Sequence, residues 1–452
     1  MPPRQRSCRD EGAETGRGRA GVHSNPIPVE ERPMKPHEDR TSLNRRRFLQ
    51  TTAAAGLAAL PGAAAPASPR RQPASFGSNP ADPLGVRASF PVTEELAYLN
   101  NAAVGPLPVP VRDALHAYAD NKMLRRDGAS GGKAVAGARS RFAGLFGVDE
   151  DEVALLYSTS GAENIIVNAM EWRPGDNVVV DELHFVTTFV LYRELERRAG
   201  VELRVIPSKD GVVTVDDFAA RTDDRTRLLS VAWVSNRNGF RYDLPPLADL
   251  AHAHGAYLYA DAIQAWGTFP TNLHEEKVDF ACGNGYKWLH ADFGCAPFYV
   301  RREHLDWMTA DRHGHFQVAE SLPGNRFRLK TSAGKLEYGG PAYGPVAAME
   351  AALAFLGEVG VDRIAAHTQA LAGELREGAA ALGMRMFTPP KNPSAIVSFY
   401  HGLDPERLSR ALADEGVSIT FQEDGQLLRA GVGMFNSRDD VDRLLGVIRR
   451  LV

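Results

Sequence analysis

Apolar positions along this chain fall into two textures from residue 97 onward. Short, nearly unbroken apolar runs predict strands over 153–157, 177–180, 201–206, 228–233, 257–259, 280–282 and 297–300. Stretches with apolar residues three and four apart predict helices over 163–172, 189–198 and 247–254, between several of those strands. Strands that alternate with helices and carry no polar face imply a mostly parallel sheet covered on both sides. After Gly339-Gly340-Pro341 the texture changes. Helices over 346–356, 361–382, 405–415 and 437–451, with a strand over 394–399, predict a second α/β unit. The expected organisation is a large domain over 97–335 and a small C-terminal domain over 336–452. No internal repeat is evident.

Ahead of residue 97 this pattern is missing. Residues 1–47 hold 11 Lys/Arg against 7 Asp/Glu, and 48–67 hold neither sign. That local +4, set against −4 for the whole chain, leaves −8 for the remainder. The segment Asn44-Arg45-Arg46-Arg47-Phe48-Leu49-Gln50 leads into a weakly apolar stretch over 51–60. Ala63-Ala64-Ala65 or Ala65-Pro66-Ala67 then offers a small-residue exit. Together these resemble a twin-arginine (Tat) export signal. A basic amphipathic helix or a mitochondrial transit peptide is the plainer alternative, disfavoured by the acidic residues and the alanine-rich exit. The expectation is an extension and signal over 1–67, translation beginning at Met34, and a linker over 68–96. The Tat translocase would carry a folded, cofactor-loaded protein to an exported, periplasmic location. No cysteine near the exit offers a lipid anchor, and no apolar run suits a multi-pass membrane protein.

Composition narrows the function classes. The chain has 452 residues, 52 basic and 56 acidic, so it lacks the positive surplus of a general nucleic-acid-binding surface. Three cysteines, Cys8, Cys282 and Cys295, form neither a disulfide framework nor a zinc ladder. His252/His254 and His313/His315 are each two residues apart, a spacing that points to different helix faces. No metal is expected.

Ligands in open α/β sheets bind beyond the C-terminal strand ends. The strand 256–260 delivers Asp261 there, with Gln264 a turn further on. The next strand leads into Gly283-Asn284-Gly285-Tyr286-Lys287-Trp288, so Asp261 and Lys287 can reach one crevice. An amine and a carboxylate in a dry pocket suit pyridoxal phosphate (PLP): the amine forms a Schiff base and the carboxylate keeps the pyridine nitrogen protonated. Taken alone, Asp261 reads as a helix cap and Lys287 as a solvated loop lysine.

Further motifs, correctly ordered from Tyr98-Leu99-Asn100-Asn101-Ala102-Ala103-Val104-Gly105-Pro106 to Asn436-Ser437, settle that choice. The chain resembles the class V aminotransferase superfamily of fold type I PLP enzymes, which includes cysteine desulfurases, isopenicillin N epimerase and kynureninase. The resemblance implies an α/β fold with a mostly parallel large domain and a smaller C-terminal α/β domain. It makes Lys287 the Schiff-base lysine and Asp261 the pyridinium partner. Gln264 would bond the ring's phenolic oxygen, and Asn236 would lie near that oxygen or the substrate carboxylate. Ser160, Gly161 and Ala162 correspond to the phosphate turn, with Ala162 where threonine is usual. Asn284 and Tyr286 would join the cofactor site, Tyr286 placing its hydroxyl on the phosphate as in kynureninase-like members. Phe185 would stack on the ring. Gly340 falls where many members have a threonine reaching the neighbouring subunit's phosphate, so only a backbone contact is left to it. Arg429, in Leu428-Arg429-Ala430-Gly431, would grip the α-carboxylate with a planar fork, and Asn101 would lie beside the substrate. A homodimer is implied.

The reaction after the shared first step is open to several outcomes. No cysteine follows Cys295, so the nucleophile that cysteine desulfurases place upstream of the arginine is missing. Amino-group transfer, or a related reaction at Cα of an amino acid or an amino-acid-containing metabolite, is the expected activity. An epimerase, a C–S lyase, a kynureninase-like hydrolase and a non-catalytic binding protein are the alternatives.

Overall fold

Seven strands share one sheet: β1 (Val153–Leu156), β2 (Asn177–Asp181), β3 (Glu202–Ile206), β4 (Thr226–Ala232), β5 (Tyr257–Asp261), β6 (Phe280–Cys282) and β7 (Ala296–Val300). They run in the order β1-β7-β6-β5-β4-β2-β3. The chain is described from a computed structural model covering residues 79–126 and 131–452; the Tat-like segment, Met34 and the first part of the linker, 68–78, lie outside the described residues. β7 is antiparallel to both its neighbours, and every other pairing is parallel.

Both faces of this sheet are dry, which is why its strands read as unbroken apolar runs rather than alternating ones. Successive residues of β2 show the division. Val179 enters the core formed with Phe142, Leu247 and Leu356, whereas Val178 and Val180 enter the opposite core with Ile166 and Tyr192. The first core is covered by α1 (Val109–Leu124), α2 (Gly132–Phe146), α5 (Leu244–Ala253) and α6 (Tyr343–Val359); the second by α3 (Thr159–Ala169) and α4 (Val186–Ala199). α6 packs along α1 and α2, although it follows the glycine-rich change of texture.

A second sheet is antiparallel throughout. Its strands β8 (Arg385–Met386), β9 (Ile396–Tyr400), β10 (Thr420–Gln422) and β11 (Leu427–Gly431) lie in the order β8-β9-β11-β10. Around it pack α7 (Val361–Ala381), α8 (Pro405–Asp414) and α9 (Arg438–Leu451), through a core that includes Leu375, Leu408, Phe399 and Leu444. The two-residue strand Ala97–Tyr98 runs parallel to Val417–Ser418, and Asn100 bridges Gly431.

Several elements differ from the sequence pattern. The sequence pattern above omits α1, which buries one residue, Val111, and α2, which buries Val135, Ala138, Phe142, Ala143 and Phe146. An exposed hairpin pairs Val318–Leu322 with Arg326–Leu329. α3 begins at Thr159 rather than 163, since its first turn is set by a cap and not by apolar spacing. Among the described residues no single helix is long and apolar enough to cross a membrane.

Candidate active site

The site opens at the C-terminal ends of β4, β5 and β6, where Ala232, Asp261 and Cys282 lie in register. One wall is the start of α3. Ser158 caps this helix by accepting the Gly161 N–H at 3.0 Å. Thr159 Oγ1 accepts from the Asn284 N–H at 3.1 Å, and Asn284 Nδ2 donates to the Tyr157 carbonyl at 3.1 Å. The loop after β6 is thereby tied to a helix N-terminus, where unpaired N–H groups favour an anion.

Asp261 and Lys287 enter from adjacent elements, and each is 7% exposed. Asp261 Oδ1 accepts from the Ile263 N–H at 3.0 Å. Burial pushes its carboxyl up to about 6, opposed by that N–H and by the Lys287 charge. Burial pushes the Lys287 amine down to about 8; Asp261 pulls it back up and Arg429 adds to the lowering. The amine lies 5.9 Å from the centre of the Phe185 ring and 5.7 Å from that of Tyr286.

Around these groups is a recess of about 650 Å³. Of the sequence-predicted residues, Ser160, Phe185, Asn236, Asp261, Gln264, Asn284, Tyr286 and Lys287 line it. Gly161 and Ala162 do not; both are buried within the turn behind Ser160. Gly340 lines a different recess, with Tyr157, Gly294 and Tyr338. Arg429 and Asn101 are buried but absent from the wall. Arg429 donates to the Asn236 carbonyl and to Thr420 Oγ1, each at 3.0 Å, while its Nε has no partner. Both side-chain polar atoms of Asn101 are buried without a partner. Gln264 is engaged at both ends: Nε2 donates to the Ala102 carbonyl at 3.0 Å, and Oε1 accepts from Trp288 Nε1 at 2.6 Å. One amide N–H is left for a ring oxygen.

These residues fit pyridoxal phosphate. The recess joins a buried amine, a buried carboxylate and a capped helix N-terminus, and the Oδ1 atoms of Asn236 and Asn284 are buried without partners. The profile of the family described as aminotransferase class-V matches residues 97–444. The chain belongs to the class V aminotransferase family. It is similar to a probable cysteine desulfurase of Halobacterium salinarum, 29% identical over 401 residues, 82% of this chain and 96% of the relative. It is also similar to a cysteine desulfurase of Escherichia coli, 27% identical over 401 residues, 81% of this chain and 97% of the relative. Among solved structures, the apo cysteine desulfurase of Thermococcus onnurineus NA1 matches with a TM-score of 0.75 and 23% identity, covering 83% of this chain and 99% of that one. A C-DES mutant with glycine covalently linked to its PLP cofactor matches with a TM-score of 0.75 and 17% identity, covering 81% and 99%. The chain is thus a PLP-dependent class V enzyme with the fold type I architecture.

This class V site also contains residues that sequence reasoning did not single out: Ser158, Thr159, Glu163, Thr187 and Thr188 line it too. Glu163 lies on the buried face of α3 and accepts from Thr188 Oγ1 at 3.0 Å and Ser230 Oγ at 3.3 Å. An acid amid the apolar positions of that helix was the available signal.

The four histidines at the paired spacings have protein partners or face solvent. His252 pairs with Asp279 and His254 with Asp224, while His313 and His315 are exposed. Asp279, Glu303 and His304 bring ligand-type atoms together. However, Trp307 Nε1 donates to His304 Nδ1 at 3.2 Å, so Nε2 carries the proton and donates it to Asp279 at 2.7 Å. Neither ring nitrogen has a lone pair to spare for a cation.

Proposed function

We propose that this class V enzyme acts at Cα of an amino acid or an amino-acid-containing metabolite, and that amino-group transfer is its reaction. The supporting observation is that, among the described residues, Lys287 is the single Lys, Arg or His side chain lining the recess. Pyridoxal phosphate, when bound, supplies an aldehyde for an amine and a protonated ring that draws electrons away from Cα. Asp261 would hold the proton at the ring nitrogen. Thr159 and Ser160, at the head of α3, would take the phosphate, with Ser158 fixing the turn. Lys287 Nζ, lowered by burial to about 8, is suited to take the Cα proton and return it on the same face. Epimerisation calls for a second base on the opposite face, and the described residues lining the recess include no further amine or imidazole. Arg429 would orient the carboxylate through the planar fork that lysine lacks, once its present partners make way.

A thiol-dependent route has little support. Cys282 and Cys295 are buried, and burial raises both thiols, Cys295 to about 12. Cleavage of a C–S bond without a protein thiol is the second reading, favoured by the names of the relatives.

The test begins with borohydride fixation and peptide mass spectrometry, which should place the cofactor on Lys287. Candidate amino acids are then supplied with and without a keto-acid acceptor. Product formation that needs the acceptor and releases no ammonia supports amino-group transfer. Acceptor-independent release of pyruvate and sulfide overturns it in favour of C–S cleavage.

We also propose export through the Tat route and a homodimeric state. The first rests on Arg45-Arg46-Arg47 and is tested by fractionating cells that carry Arg45→Lys/Arg46→Lys. The second is supported by exposed Val186, Val190 and Phe293, and sedimentation measures it.

A further inference from the structure

His184 has no assigned part in the site, yet it is 3% exposed and lies between Phe185 and Glu163. Phe185 precedes the first residue of α4, and its backbone N–H turns back on the side chain before it. That N–H donates to Nδ1 of His184 at 2.8 Å. A ring nitrogen that accepts cannot carry the proton, so Nε2 must. Nε2 lies 3.2 Å from Ser230 Oγ and donates there. Ser230 passes its own hydrogen to Glu163 Oε1 at 3.3 Å, and Thr188 holds the same carboxylate. The Phe185 N–H can only donate, so the acceptor role of Nδ1 is fixed, while Thr188 Oγ1 reaches both oxygens of Glu163, at 3.0 and 3.2 Å.

We propose that His184 is a positioning residue for the cofactor site: its Nδ1 fixes the backbone at Phe185, and so the tilt of the ring facing Lys287, while Ser230 and Glu163 lock its tautomer. The proposal rests on the reading that Phe185 covers the bound cofactor ring. Burial, which pushes the imidazole down to about 3, keeps it neutral and the tautomer constant. A histidine serving only to fill the core would need neither bond in a particular direction.

Two substitutions separate the nitrogens. In His184→Asn the carboxamide oxygen can take the place of Nδ1; in His184→Gln the terminal amide can take the place of Nε2. The experiment compares wild-type, H184N, H184Q, S230A and S230T holoenzymes by visible circular dichroism of the bound cofactor, which reports ring orientation. Borohydride-fixed cofactor on Lys287 is quantified in parallel. The expected result is full labelling in every protein, a wild-type dichroic sign and most of its amplitude in H184N and S230T, and loss of the signal in H184Q and S230A. S230A loses it because an unpartnered Nε2–H favours the other tautomer, which takes the acceptor from Phe185.

Wild-type spectra throughout overturn the proposal, as does equal loss in H184N and H184Q, which marks simple core filling. Retention in H184Q with loss in H184N does so too. If neither His184 variant folds, an unchanged spectrum in S230A overturns it, and loss in S230A restored in S230T supports it. A wild-type protein unlabelled at Lys287 refutes instead the underlying site reading.

Discussion

Gly105 sits directly against the backbone of Lys287: a Cβ placed on the glycine would come within 1.9 Å of the lysine carbonyl oxygen. The Gly105 N–H also donates to the Tyr286 carbonyl at 2.8 Å. The segment 100–106 is therefore a clamp on the loop that carries the amine. Gly105→Ala should push that loop aside and destabilise the fold by about 1–3 kcal/mol, the usual range for overpacking. Urea unfolding measures the loss. Labelling of Lys287 should fall in the fraction that remains folded, and a variant with normal labelling would show that the loop tolerates displacement.

Asp261 raises the Lys287 amine against the stronger lowering by burial. Asp261→Asn should then move the amine further below about 8. The readout is the rate at which cofactor-free protein takes up pyridoxal phosphate as pH is varied, because the neutral amine reacts. In wild type the rate should rise with a midpoint near pH 8. A midpoint in D261N that is unmoved or higher contradicts the electrostatic coupling.

Glu163 gives a stability signature in the cofactor-free protein. Burial pushes its carboxyl up to about 7 from 4.5, with hydroxyls of Tyr192, Thr188 and Ser230 opposing and Asp261 adding to the rise. The folded chain holds this proton more tightly than the unfolded one. Stability should therefore fall as pH rises from 4.5 to about 7, then level off. The difference is of order 3 kcal/mol. Glu163→Gln removes the titrating proton and should flatten this part of the profile, although Asp261 and Asp181, both raised to about 6, leave a residual slope of the same sign. Denaturant midpoints across that range decide it; an unchanged slope in E163Q counts against the assignment.

His252 works in the opposite sense. Its hydrogen bond to Asp279 at 2.9 Å raises the imidazole above 6.5. The stabilisation is fully present below 6.5 and is lost as pH climbs through the raised value. His252→Gln should abolish that decline. The imidazole proton resonances followed through the titration provide an independent check on its direction.

Asp261 and Lys287 were legible in the sequence because strand ends in a parallel sheet converge on one crevice, so chain order alone brings them together. Phe185 was singled out by resemblance, and it lines the recess. The His184–Ser230–Glu163 chain was not, since its members come from the loop after β2, from β4 and from α3, with separations of 46 and 67 residues. No local spacing encodes such a meeting. Arg429 shows a different limit. Its motif identifies the residue, but its guanidinium is occupied by Thr420, set by the pairing of β10 with β11, and by the Asn236 carbonyl from the loop after β4. Helix α1 escaped because it buries Val111 alone, whereas α2 buries Val135, Ala138, Phe142, Ala143 and Phe146 at helical spacing, a signal that was present and not used.

The parallel pairing of Ala97–Tyr98 with Val417–Ser418, and the bridge from Asn100 to Gly431, have a consequence for biosynthesis. The strand that leads into the Gly105 clamp emerges early from the ribosome, and its partners emerge hundreds of residues later. Chain synthesis must nearly finish before the lysine loop is held from both sides. Vitamin capture is thus a late step in maturation, and nascent chains truncated ahead of residue 417 should be unable to retain it.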